Sequence, residues 1–529
     1  MSDLNNDLKI GSFSDSGPWR IEPETIDWKR ISDQLNEDAQ KQIDDILKPN
    51  SVPPVLRTAD IVFGLSKAVG KWYFTSRGST KSKSYSIISR NLKNTFQKFG
   101  PTYVKLGQII SSGEGIFPSE LVSQFVKLRD QVPAEPFEVV RNTIETDLNR
   151  PLDGIFKSFS YEPIAAASIA QVYDATLITG EEVVVKVQRS NIAQKVRQDL
   201  QVMKWIAPFL VGKIPITALA NPPALVELFA NTIIQELDFR IEANNMLDIA
   251  AVLAETNQRN IIVPRPHPTL VTKRVLVMEK LSGFKWDDVT GMQDAGIDTE
   301  AVLRAGMISF FEGTMFYGVF HGDLHGGNLF VDEKGRVALL DFGIVGRLDP
   351  LKRLAFLKLL IGALSNQVEQ QIEALKELEA LPKDVDTQKL IVDLKLDQPV
   401  VDPTTLGAEE MIRELQEITK SLLGIGAKLP KELMLFAKNM LFLDSAIAKL
   451  APNLNIIQEI ADISTYFAKE HGQRISKEVG FEINENNIDL EGIKASFGLT
   501  NEVESLTYKD IAERRNKIRE TFDSVKKKP

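Results

Sequence analysis

The residues best suited to chemistry lie between Phe320 and Gly343, a stretch that reads FHGDLHGGNLFVDEKGRVALLDFG. Two of the chain's four histidines, His321 and His325, flank Asp323; Asn328 follows five residues later, and Asp341 thirteen after that, opening Asp-Phe-Gly. Phosphoryl transfer needs a carboxylate beside the attacking hydroxyl, and an amide and a second carboxylate to hold magnesium. Asp323, Asn328 and Asp341 occupy those three places in that order. Between them an apolar run, an Asp-Glu-Lys-Gly turn and a second apolar run predict a hairpin that brings all three to one face. A metal centre built on His-x-Asp-x-His is the competing reading, but it lacks a further ligand at helical spacing and the chain has no cysteine. A polar turn without chemistry leaves Asp341 unexplained, because a carboxylate ending a buried strand is costly without a partner.

Such a centre needs a nucleotide-holding sheet upstream. From about Ile155 to Val187 the pattern is strand-rich: the small-residue turn Ala165-Ala166-Ala167-Ser168, a strand to Tyr173, a Thr-Gly turn, and Glu182-Val-Val-Val-Lys186-Val187. Turn, strand, turn and strand with a late lysine is the order of a kinase nucleotide lobe, with Lys186 as its phosphate-binding lysine. Where glycines able to take positive φ are usual, this turn has alanine and serine, which resist that conformation, so the phosphates are expected to be cradled differently. Downstream, Asp238 and Glu242 stand four apart on a predicted helix, where they repel unless cations such as Lys186 and Lys105 face them. A Lys186–Glu242 pair would position phosphates. Arg274-Val-Leu-Val-Met278-Glu279 reads as a strand entering a hinge, with Met278 and Glu279 against the adenine. Lys105 and Gln108, three apart, share a face of a helix predicted over 96–110.

Composition sets the frame. With 529 residues, 43% of them hydrophobic and 26% charged, the chain is long enough for two or more domains with sizeable cores. The absence of cysteine removes disulfides, thiolate metal sites and thiol nucleophiles, which leaves the chemistry to carboxylates, lysines and histidines. Residues 1–55 form a polar, acidic segment, expected to be a loosely attached arm, with neither a signal-peptide core nor the composition of a transit peptide. Residues 56–150 are a helical extension, 151–283 a nucleotide lobe, 284–455 a helical lobe and 456–529 a helical tail, expected to be mobile beyond 471. Helices are expected at 351–380, 408–425, 430–450 and 455–470. No apolar run reaches the roughly twenty residues of a spanning helix, so a cytoplasmic protein, at most peripheral to a membrane, is expected.

Between Asp60 and Glu114 there is no acidic residue, while nine lysines and arginines alternate with Trp72, Tyr73, Phe74, Tyr85, Phe96 and Phe99, in a chain of net charge -9. This suits an anionic membrane interface or a phosphate-bearing ligand, or equally a solvated face with core aromatics beneath it. Nucleic acid is not the expected partner of an acidic chain without a recognisable binding module.

Lys105-Leu-Gly-Gln108 upstream of the lobe, the Ala-Ala-Ala-Ser turn, Glu236-Leu-Asp238 with Glu242, and HGDLHGGN followed by Asp-Phe-Gly together resemble the UbiB, or aarF-domain, family of atypical kinases, over about residues 85–350. The resemblance implies an α+β, protein-kinase-like two-lobe fold with an added N-terminal helical extension. It also implies ATP or ADP and Mg2+ as cofactors and an ATPase or phosphotransferase activity. In that family the upstream helix restrains the site, placing the counterparts of Lys105 and Gln108 against those of Glu236 and Asp238. Support of prenylquinone or other isoprenoid-lipid metabolism at a membrane is implied as well. The chain departs from the family's common form at Ser111-Ser112-Gly113-Glu114-Gly115, where Ser-Thr-Arg-x-Asp is usual, and at Gly322, Leu324 and Gly326, where Ala, Pro and Pro are usual. Beyond Gly343 there is no room for a long activation segment, which argues against a protein substrate. Two further readings stand beside this one. A soluble small-molecule kinase shares the His-Gly-Asp-Leu-His-x-x-Asn pattern but has no use for an occluding helix, and a non-catalytic, nucleotide-gated lipid-binding module would use ATP only as a conformational ligand.

Overall fold

The structure, a computed structural model, describes residues 9–15, 17–48, 53–77, 81–111, 119–128, 133–210, 222–398, 417–480 without 419, 420, 423 and 429, then 491, 494 and 505–526. The chain forms two compact units, Met1–Ser282 with Ala338–Val345, and Gly283–Val337 with Gly346–Pro529. The fold is α+β, with an N-terminal helical region, an antiparallel sheet lobe and a helical C-terminal region.

In the first unit the helices α1 (Ser32–Ile46), α2 (Val55–Thr75), α3 (Lys81–Phe99), α4 (Pro101–Ser111), α5 (Ser119–Phe125) and α6 (Phe137–Leu148) precede the sheet. Its strands are β1 (Phe156–Phe159), β2 (Ala165–Ala166), β3 (Ala170–Leu177), β4 (Glu182–Gln188), β5 (Pro266–Val271) and β6 (Val275–Glu279), in the order β1-β3-β4-β6-β5 with β2 on β3. Side chains alternate across a strand. Val183, Val185 and Val187 therefore point into one core with Tyr173, Val275, Val277 and Val140 and Ile144 of α6, while Lys186 stands on the opposite face. The helices α7 (Ile192–Leu210), α8 (Pro222–Glu236) and α9 (Phe239–Glu255) lie between β4 and β5 in the chain.

The described part of the N-terminal segment is not a loose arm. Its apolar residues recur at helical spacing, and Ile21, Ile26, Trp28, Leu35, Ala39, Ile43 and Ile46 are all buried. Trp19 and Trp28 donate their indole N–H groups to the carbonyls of Pro266 and Pro268, at 3.1 and 3.0 Å. A polar average conceals this stripe, because the outward residues of α1 are nearly all charged or amide.

The second unit contains β7 (Phe284–Lys285), α10 (Thr299–Glu312), β8 (Val319–His321), β9 (Leu329–Val331), α11 (Pro350–Leu364), α12 (Lys431–Leu450), α13 (Ile456–Val479) and α14 (Tyr508–Lys526). The expected helix over 351–380 is two, α11 and Val368–Glu377, and most of that expected over 408–425 lies outside the described residues. Beyond 471 the helix α13 continues to Val479, and α14 is a further helix of the stretch expected to be mobile. Ile475 is fully buried with Met315, Phe316 and Phe467, and Arg474 donates to the Phe316 carbonyl at 2.6 Å. Among the described residues no helix is long and apolar enough to cross a membrane.

Candidate functional site

In the first unit a cluster of charges surrounds Lys186. Its ammonium lies 2.7 and 3.0 Å from the two carboxylate oxygens of Glu242, on the first turn of α9, and 3.1 Å from Asp341 Oδ1. Lys186 and Glu242 are buried, whereas the Asp341 side chain is 48% exposed. Asp341 has a φ of 58°, in the left-handed region where aspartate is among the few tolerated side chains. Two bonds hold it there: Gly343 N–H donates to Asp341 Oδ1 at 3.3 Å, and Asn245 Nδ2, from α9, donates to the Phe342 carbonyl at 2.9 Å. Lys105 of α4 reaches Glu236, at the end of α8, at 2.8 Å. Gly107 explains itself by packing: a Cβ there would stand 2.3 Å from Leu128 Cδ1 and 2.9 Å from Phe125 Cδ1, so α4 lies against α5 only without one.

Asp238 behaves differently from the helix-face carboxylate expected. It is the N-cap of α9, accepting from Arg240 N–H at 3.1 Å, and the Arg240 guanidinium holds both its oxygens, at 2.9 and 2.7 Å. The cation that faces it is therefore local, not Lys186 or Lys105. Glu279 also differs. Its N–H donates to the Arg265 carbonyl at 2.8 Å, and its buried carboxylate takes Arg265 N–H at 3.1 Å and the Ser14 hydroxyl. Arg265, 1% exposed, also donates to the Ser14 carbonyl at 2.8 Å. The Glu279 side chain is thus committed to anchoring the N-terminal segment, while Met278, its half-buried neighbour, pairs with Val184.

The turn Ala165–Ser168 is a tight hairpin: Ala165 and Ala166 pair with Val172 and Gln171, Ala167 N–H reaches the Ala170 carbonyl at 2.9 Å, and none of the four has positive φ. Arg189 Nε pins the Ala167 carbonyl at 3.0 Å. Arginine and strand pairing do here what glycine flexibility does elsewhere.

In the second unit Asp323 follows β8. Its N–H donates to His321 Nδ1 at 3.1 Å, its carbonyl accepts from Asn328 Nδ2 at 3.1 Å, and its carboxylate forms an ion pair with Lys438 of α12. The neighbouring Asn439, wholly buried, accepts from Leu324 N–H at 3.1 Å and donates to the His321 carbonyl. His325 Nδ1 accepts from Gly327 N–H at 3.1 Å. Both histidines therefore spend a ring nitrogen on shaping the loop, and no group of three or more acidic or histidine residues suited to a metal ion occurs among the described residues.

The ABC1 atypical kinase-like domain matches residues 127–375. An uncharacterized aarF domain-containing protein kinase of Arabidopsis thaliana is 31% identical over 398 residues, covering 70% of this chain and 73% of that protein. The chain belongs to the UbiB, or aarF-domain, family of atypical kinases. An uncharacterized protein of Mycobacterium tuberculosis is 36% identical over 413 residues, or 75% of this chain and 81% of that protein. A probable protein kinase UbiB of Marinobacter nauticus is 35% identical over 263 residues, 49% of this chain and 48% of its own length.

For this UbiB-family chain the charges around Lys186 are unequal: Lys105 and Lys186 face Glu236, Glu242 and Asp341. Burial pushes the Glu242 carboxyl up to about 7, with Lys186 opposing and Asp341 reinforcing the shift. Burial likewise raises Glu236, opposed by Lys105. For Lys186 burial works against the charge, but Asp341 and Glu242 outweigh it and hold the ammonium above the usual lysine range. Asp341, also penalised by burial, is brought well below the usual carboxylate range by Lys186 and Lys105. It stays ionised at any physiological pH, which is what a metal-holding carboxylate needs.

Lys438 and Asn439 are functional candidates that sequence reasoning missed. Their signal was present as two adjacent polar residues inside the apolar run Leu433-Met-Leu-Phe-Ala-Lys438-Asn439-Met-Leu-Phe-Leu443. A polar pair in such a helix needs partners, and here those partners are the Asp323 loop.

Proposed function

We propose that the chain binds ATP or ADP with Mg2+ and hydrolyses or transfers the terminal phosphoryl group. Lys186 is the phosphate clamp, Glu242 its partner, Asp341 and Asn328 the magnesium ligands, and Asp323 the group that orients or deprotonates the attacking hydroxyl. The hairpin Ala165–Ser168 covers the phosphates and Met278 lies at the adenine. The observation that carries this reading is the buried Lys186–Glu242 pair with Asp341 held beside it, because a salt bridge this deeply buried adds little to stability, and a phosphate-positioning role accounts for it. Asp341 and Asn328 fit magnesium: one carboxylate is ionised and half exposed, and the Asn328 amide spends its nitrogen on Asp323, leaving an oxygen of the kind magnesium takes. Bound there, the ion would supply charge neutralisation at the phosphates.

The same reading assigns Lys105, Gln108, Glu236 and Asp238 to restraint of the site by α4, with the Lys105–Glu236 pair as its latch and Asp238 fixing the start of α9. It places the protein at an anionic membrane surface, in support of prenylquinone or other isoprenoid-lipid metabolism. A stripe on α2 favours the membrane. Leu56, Phe63, Tyr73 and Phe74 are 88%, 70%, 53% and 73% exposed, on the face opposite buried Ile61 and Ala68, with Lys67, Lys71 and Arg77 exposed nearby. An apolar face edged with cations suits an interfacial helix at anionic lipid.

Nucleotide turnover measured with and without anionic vesicles tests this reading. Turnover that vesicles stimulate supports it. Nucleotide binding with no turnover in either condition would replace it with the nucleotide-gated lipid-binding module, which the Lys105–Glu236 latch also accommodates.

A further inference from the structure

The helices α10, α11, α12 and α13 of the second unit line a partly open cavity of about 390 Å³. Phe311, Leu360, Phe436, Met440, Ile460 and Ile463 are among its walls, and each is only half-buried, so among the described residues this large apolar surface is incompletely covered. The two carboxylates at its edge are spoken for. Glu459 takes a two-pronged contact from Arg304 at 2.7 and 2.6 Å, and Asp444 is held by Arg515 at 2.6 and 2.9 Å and by Tyr508 at 3.0 Å. Ser365 returns its hydroxyl to the Ile361 carbonyl at 2.8 Å. The walls therefore offer a ligand dispersion and desolvation but almost no hydrogen bond.

We propose that this cavity is a binding site for the hydrocarbon tail of a lipid, aliphatic or isoprenoid, whose polar end remains outside. The volume falls at the lower end of the range for small-molecule sites. At roughly 30 Å³ per water-sized group it takes on the order of a dozen carbon atoms. An empty space of this size forfeits contacts on every wall, which an apolar ligand restores. Three of the chain's ten methionines, Met307, Met315 and Met440, line it, and their unbranched side chains adapt to a flexible tail. One wall also reaches the catalytic loop candidate. On α12, Phe436, Met440 and Leu443 face the cavity, while Lys438 and Asn439 of the same turns hold Asp323 and His321. An occupant that shifts α12 is felt at Asp323. The proposal does not rest on the nucleotide reading, and its first readout needs no nucleotide.

The test is titration of the full chain with 1-dodecanol and, separately, farnesol, with glycerol as the control. Saturable binding of one probe molecule per chain is expected, and the tighter probe tells an aliphatic from an isoprenoid site. Ala363→Phe, at the exposed rim, and Ser464→Leu, inside, are each expected to raise the dissociation constant tenfold or more without lowering the unliganded melting temperature. Two variants are used so that a failure of either to fold leaves the other informative. Absence of saturable binding by both probes, or binding that neither substitution weakens, overturns the proposal. So does self-association of the chain that buries this face and that dodecanol does not displace.

Discussion

Removing Lys186 separates the structural from the chemical role of the charge cluster. In Lys186→Met the Glu242 carboxylate, 4% exposed, loses the ammonium at 2.7 Å. Taking one partner from a buried pair costs about 3–5 kcal/mol, because the remaining charge is left without compensation. Protonation relieves the penalty, so the loss depends on pH. Burial already pushes Glu242 up to about 7 with Lys186 opposing the shift, and the shift grows when that cation is gone. A carboxyl whose folded value lies above its unfolded value of about 4.3 stabilises the fold at low pH, and that stability is lost as pH rises through the interval between the two. The slope is about 1.4 kcal/mol per pH unit for one proton, so the variant's stability is expected to fall by about 3 kcal/mol between pH ~5.5 and pH ~7.5, against about 2 kcal/mol in the parent, whose Glu242 stops contributing near pH 7. Adding Glu242→Gln removes the stranded charge and should bring stability to within about 1 kcal/mol of the parent, with a flat pH profile. The assay is hydrogen exchange at the amides of α9, which reads local opening and does not require a two-unit chain to unfold in one step. Nucleotide binding is the second readout: the double variant regains the fold but not the nucleotide. The reasoning is refuted if the single variant loses less than about 1 kcal/mol at high pH, or if Glu242→Gln fails to rescue it.

Three further outcomes follow from other parts of the molecule. Lys438→Met should lower turnover by about 10–100-fold, because the Asp323 carboxylate loses the ammonium that orients it, whereas Lys438→Arg should keep most of the activity; equal loss in both variants would mark Lys438 as merely structural. Phe63→Asp with Phe74→Asp should leave the melting temperature unchanged, because both positions are exposed, yet weaken binding to anionic vesicles by at least about 100-fold in a sedimentation assay, given about 1.5–3 kcal/mol per lost aromatic. Ile475→Ala should cost the second unit about 2–5 kcal/mol, read as a lower thermal midpoint; a neutral result would contradict the packing of α13.

Much of the candidate site was legible because chemistry fixes both residue type and spacing. The order Lys186, Glu242, Asp341 could be read from a strand ending in lysine, a carboxylate early on a helix and Asp-Phe-Gly after an apolar run, and the structure brings these three side chains together. Lys105 reaches Glu236 as the family resemblance implied. Asp238 was misplaced for a local reason: spacing alone cannot tell a residue on the first turn from the cap that precedes it, and a capping aspartate turns its carboxylate to the backbone. A hinge strand suggests Glu279 at the adenine edge, but it does not show that Ser14 and Arg265, far apart in sequence, hold the Glu279 carboxylate. Such long-range pairs leave no periodic trace. The N-terminal segment and the residues beyond 471 were read as loose because their average polarity is high, although a few apolar residues at helical spacing are enough to seat a helix.

The most direct test of the central claim is calorimetric binding of ATP and ADP to the full chain, with and without Mg2+, for the parent and for Asp341→Asn. The charge cluster predicts binding that needs Mg2+ in the parent, and a loss of tenfold or more in Asp341→Asn with the melting temperature kept. Nucleotide affinity independent of Mg2+ and unchanged by Asp341→Asn would contradict it.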